Sequence, residues 1–80
     1  MIQNIDHTLD LRGTISPVTL LKVSQIFEKM ASEQIMEVKI RDLDTRTDIF
    51  KILPDNTFEL ITKEIVKDYG LYYRILIKKK

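Results

Sequence analysis

The sequence predicts an α+β fold: a βαβαββ two-layer sandwich whose four-stranded mixed sheet carries two helices on one face. Three observations predict it. Apolar residues alternate with period two in four segments, and they recur at helical spacing in two segments between them. The helical segments fall between the first and second strands and between the second and third. The last two strand segments flank a turn signal, Asp68-Tyr69-Gly70, and so form an antiparallel hairpin.

From Thr8 to Arg12, Leu9 and Leu11 alternate with Asp10 and Arg12, as in a half-buried strand that Arg12-Gly13 ends. Ser16-Pro17 then opens a helix: serine is a good N-cap, and proline suits the first helical position. The helix is expected from Pro17 to about Ser32. At 100° per residue, Leu20, Val23, Ile26, Phe27 and Met30 share one stripe that faces the sheet. Val18 and Leu21 fall on the opposite side, beside Lys22, Gln25 and Lys29, where a surface helix ordinarily places polar residues.

Met36, Val38 and Ile40 alternate with Glu37, Lys39 and Arg41 in the second strand, which a crossover through the helix makes parallel to the first. Asp44 to Leu53 is the second helix, with Ile49, Ile52 and Leu53 as its apolar set and Pro54 stopping it. Between Phe58 and Val66 the apolar phase changes, with Phe58 and Leu60 on one face and Ile61 and Ile65 on the other. A bulge or twist near Thr62 is expected. The last strand alternates Leu71, Tyr73, Ile75 and Ile77 with Tyr72, Arg74, Leu76 and Lys78.

At 80 residues the chain is read as one domain, 1–80, with about residues 1–6 a poorly ordered lead-in. Thirteen basic residues against twelve acidic ones give a net charge of +1, so nucleic acid and anionic lipid are not expected as partners. No apolar run approaches the ~20 residues of a membrane span, and Met1 to Asp6 lacks a signal peptide's regions; a cytoplasmic location is expected. The lysines at 78 to 80 read as a solvated end.

The chain has no cysteine, which removes disulfides, thiolate metal sites and thiol catalysis. His7 is its one histidine, so a Ser-His-carboxylate site requires His7 with Ser16, and Ser16 is already accounted for by capping. The residues imply no metal site and no cofactor. Asp42 and Asp44 read as a helix start and not as metal ligands. The mixed charges of the outward sheet face, Asp10, Arg12, Glu37, Lys39, Arg41 and Arg74 with Tyr72 among them, read as cross-strand ion pairs.

The segment Leu9-Asp10-Leu11-Arg12-Gly13-Thr14-Ile15-Ser16-Pro17 resembles the signature of the TusA/SirA-like sulfur-carrier family, in which a strand ending in Arg-Gly leads to Cys-Pro at the first helix. The resemblance extends over about residues 7 to 80, through Asp42, Asp48-Ile49, Glu59-Leu60, Tyr73-Arg74 and Ile77-Lys78. It implies the same fold and a place in sulfur relay, where the cysteine accepts a persulfide sulfur from a donor protein and passes it on. Ser16 stands at the cysteine position, Thr19 where many members have a second proline, and Thr57-Phe58 where a Gly-His pair precedes the third strand.

A thiol at a helix N-terminus is activated as thiolate, whereas a serine hydroxyl there stays protonated and forms no S–S bond. The sequence therefore carries no catalytic residue, although Arg12, Gly13 and Pro17 still surround Ser16. The expectation is a monomeric, non-catalytic binding protein, not an enzyme, that docks a sulfur-relay or regulatory protein through Val18, Leu21, Lys22, Gln25 and Lys29. The alternative is a sulfur carrier whose acceptor cysteine has been replaced by Ser16.

Overall fold

A computed structural model of the chain describes residues 4–14, 16–41, 43–67 and 70–80, the side chains of Ser16 and Leu43 excepted. The first three residues of the expected lead-in, the Ser16 cap contact, Asp42 and the Asp68-Tyr69 half of the last turn lie outside the described residues. The elements follow the expected order: β1 (His7–Asp10), α1 (Ser16–Lys29), β2 (Ile35–Ile40), α2 (Leu43–Ile52), β3 (Phe58–Lys67) and β4 (Leu71–Lys79).

The strands form one mixed sheet in the order β1-β2-β4-β3. β1 pairs parallel with β2, as a strand returning through a helix must, and β4 runs antiparallel to both β2 and β3. The two central strands, β2 and β4, have a strand on each edge and carry the sheet's buried apolar residues. On one face Met36, Val38 and Ile40 of β2 and Ile75 and Ile77 of β4 are buried against Val23, Phe27 and Met30 of α1 and Ile49 of α2, with Leu53 just beyond α2. Leu20 and Ile26 pack partly buried at the margin of this core. Both helices thus occupy one face, and the ring of Phe58 joins them by stacking on Phe50 at 6.3 Å and meeting Phe27 edge-on at 6.4 Å.

α1 ends at Lys29, three residues earlier than its apolar stripe predicts. The reason is tertiary. Lys79 Nζ donates to the carbonyl oxygens of Phe27 and Glu28, the Gln34 side chain accepts from the Ala31 amide, and Glu33 turns the chain with a φ of 76°. Lys79 also lies 4.9 Å from the Phe27 ring centre, so a residue of the basic tail closes a helix end that it is remote from in sequence.

β3 contains the expected irregularity. Leu60 lies opposite Ile77 and Thr62 opposite Leu76, which leaves Ile61 as the extra residue. Simple alternation separates Ile65 from Leu60; the bulge returns Ile65 to the helix-bearing face, opposite Tyr73. On the other face Arg74 ties the sheet together, bonded to Glu37 of β2 and, at 3.0 Å, to Glu64 of β3. These contacts hold the Arg74 pKa above its ordinary value, the hydrogen bond that Arg74 donates to Glu37 contributing most.

Candidate functional site

The parallel pairing of β1 and β2 brings their carboxyl ends side by side, and α1 starts directly above them. Leu11 extends the pairing by one bond, its amide donating to the Lys39 carbonyl at 2.9 Å, and its side chain is buried in the core. Arg12 and Gly13 then occupy the centre of a turn closed by the Thr14 amide on the Leu11 carbonyl at 3.1 Å. Buried Leu11 fixes where the turn sits, and so fixes where the helix begins.

The Arg12 guanidinium is held from two sides. Its Nε and Nη2 donate to the two carboxylate oxygens of Asp10 at 2.8 and 2.6 Å, and its planar head lies 4.7 Å from the centre of the Tyr72 ring. The Arg12 hydrogen bond is the main reason that Asp10 titrates below the usual carboxylate range. Arg41, from the end of β2, completes an open depression with Asp10, Arg12 and Gly13. The depression therefore holds two arginines and one carboxylate, with the Arg12 head turned to the outward sheet face over Tyr72.

Thr19 was singled out in the sequence solely as a departure from the family pattern, and it has a structural task. Its side chain is 1% exposed, and its hydroxyl donates to the Thr14 carbonyl at 3.3 Å, pinning the turn to the first turn of α1. The signal was present in the helical period, since Thr19 leads the stripe Val23, Phe27 and Met30 by four residues.

The outward flank of α1 is placed next to this turn. Val18 is 38% exposed and Leu21 57% exposed, with Lys22, Gln25 and Lys29 exposed along the same side of the helix. Pro17 is also exposed. The structure therefore brings together Arg12, Gly13, Pro17 and the backbone of Ser16 at the helix start, with Val18, Leu21, Lys22 and Gln25 continuing from it; Lys29 is furthest away, at the last turn.

His7 does not join them. It sits at the opposite end of β1, with its Nε2 3.3 Å from the Gln34 side-chain oxygen, five residues or roughly 16 Å of strand from Arg12. Among the described residues no three His, Asp or Glu side chains converge as a metal site would require. Nor is any helix among them long and apolar enough to cross a membrane. The mixed charges of the outward sheet face are in part paired, as Asp10 with Arg12 and Arg74 with Glu37 and Glu64, and Tyr72 is buried to 8% exposure, with Arg12 over its ring.

Chemically, the site has the framework of a helix-start nucleophile without a sulfur atom. The helix dipole would stabilise an anion at the first helical position, but a serine hydroxyl does not ionise near neutral pH and cannot hold a sulfane sulfur. No curated protein matches the chain. The sequence model of the sulfurtransferase TusA family matches residues 7–79, which includes the turn, both helices and the whole sheet. Since that match spans nearly the entire chain, the protein belongs to the sulfurtransferase TusA family, as a member with no cysteine.

Proposed function

We propose that the chain is a non-catalytic member of this sulfur-relay family, a binding or accessory protein that docks a partner of a sulfur-relay or regulatory system through the outward flank of α1. The observation that carries this reading is the exposure of Val18 and Leu21 beside a helix start that holds Ser16 in place of cysteine. An apolar pair rimmed by Lys22, Gln25 and Lys29 suits a modest docking site, in which buried anchors supply affinity and rim charges act on association rate. The protein works as a monomer in the cytoplasm on this reading, with no cofactor and no nucleic-acid partner.

Affinity capture from the source cell tests it, with wild type, Leu21→Asp and Ser16→Ala as baits. A partner retained by wild type and Ser16→Ala but lost by Leu21→Asp supports docking through this flank. Equal capture by all three baits overturns it.

The second reading, a carrier whose acceptor cysteine has been replaced by Ser16, draws on one specific observation: the Leu11–Thr14 turn and the helix start at Ser16 are both formed. Under this reading only the sulfur atom is missing, and restoring it restores loading from a persulfide donor.

A further inference from the structure

The bulge in β3 decides which side chains share a face, and its consequence lies away from the α1 site. Beyond Ile61, Lys63 lies opposite Ile75, Ile65 opposite Tyr73 and Lys67 opposite Leu71, so these three join Leu60 on the helix-bearing side. Thr62, Glu64 and Val66 go to the other side, where Glu64 bonds Arg74; Glu59, opposite Lys78, is on that side too. Without the extra residue, Glu64 would share a face with Leu60 and the lysines would not.

Two properties result. The helices leave this edge uncovered: Leu60 is 41%, Ile65 58% and Leu71 57% exposed, alongside half-buried Phe50. The charges are also sorted. Lys63 and Lys67 stand on this face, and Arg46 of α2 reaches it with its guanidinium 4.9 Å from the Tyr73 ring centre, while both carboxylates of β3 are behind. Helical phase puts Asp48 about 160° around α2 from Arg46 and Phe50, away from this edge. Among the described residues no ion pair engages Lys63 or Lys67.

We propose that the helix-bearing face of β3 docks an acidic amphipathic helix of a partner protein, with Leu60, Ile65 and Leu71 as apolar anchors and Lys63, Lys67 and Arg46 meeting its carboxylates. Charge complementarity selects an acidic occupant. A second copy offering the same patch would set lysine against lysine. Strand addition is opposed by the bulge and by the inward-pointing Lys63, so the occupant lies over the face and does not extend the sheet. Leu60 and Ile65 are about 13 Å apart along the bulged strand, close to the 10–12 Å between helical residues seven or eight apart.

The test titrates the full chain with a designed peptide of about five helical turns, leucine on one stripe and glutamate elsewhere, against an analogue with lysine for every glutamate. Phosphatidylserine vesicles form a third arm. The glutamate peptide should bind about tenfold or more tighter than the lysine analogue, and Ile65→Asp should lower that affinity about tenfold. The exposed pair Lys63→Glu and Lys67→Glu should reverse the preference with no dependence on core packing. Leu21→Asp should leave the affinity within about twofold, which separates this surface from the α1 flank. Equal affinity for the two peptides, no response to the lysine reversal, tighter binding to vesicles than to peptide, or self-association abolished by Ile65→Asp would each overturn the proposal.

Discussion

Replacing Leu21 with aspartate separates an exposed anchor from a core residue, and the structure sets the size of each effect. Full burial of a leucine side chain is worth about 1.5–3 kcal/mol, and Leu21 retains 57% of its exposure, so its packing contributes roughly 1 kcal/mol to folding. Aspartate adds a helix propensity lower than that of leucine by about 0.5 kcal/mol. Stability should therefore fall by about 1 to 1.5 kcal/mol, or a Tm decrease of about 4–12 °C for a chain of this size. If Leu21 becomes buried in a partner, the same change removes an apolar anchor and places a carboxylate in a desolvated interface, costing about 2 kcal/mol or more, which is roughly 30-fold in Kd. Thermal melting by circular dichroism and calorimetric titration with the captured partner read the two quantities. A Tm loss far beyond that range would place Leu21 in the core and refute the exposure argument; unchanged Kd in a folded variant would refute the docking surface.

Ser16→Cys should give a thiol whose pKa lies below the ordinary value of about 8.5, read from alkylation rate against pH, because the helix dipole favours thiolate. Sulfur loading from a persulfide donor would support the carrier reading, and a thiol of ordinary pKa that does not load would count against it. Ile49→Ala should cost about 2–5 kcal/mol in urea unfolding, since Ile49 is fully buried between α2 and the sheet, and a loss under 1 kcal/mol would contradict that packing. The Asp10 carboxyl should titrate below the ordinary value of about 3.9 in an NMR pH series, and Arg12→Ala should move it back toward that value. Because its folded pKa is the lower one, the Asp10 contribution to stability is present above the unfolded pKa and is lost as pH falls through the folded value; a midpoint unmoved by Arg12→Ala would exclude the pair as its cause.

The periodic elements were legible because each answers to a local rule. Alternation found the strands, a 3.6 period found the helices, and Ser16-Pro17 and Pro54 marked a start and a stop. The phase break in β3 marked a bulge or twist near Thr62, and the register makes it a bulge at Ile61, because an extra residue changes which face the following side chains take. Boundaries set by distant partners were not legible. α1 stops at Lys29 because Lys79 bonds its last carbonyls, and no local signal at residues 30 to 32 announces a lysine fifty residues away.

The candidate site divides the same way. The absence of cysteine and the outward phase of Val18 and Leu21 follow from residue identity and helical period, which need no tertiary information. That Arg12 lies between Asp10 and Tyr72, that Thr19 pins the turn at Thr14, and that Lys63, Ile65 and Lys67 share a face with Leu60 depend on pairing β1, β4 and β3 in one sheet. A side chain's own period fixes the direction in which it points, but what it meets there is set by the neighbours that strand order and register bring opposite it.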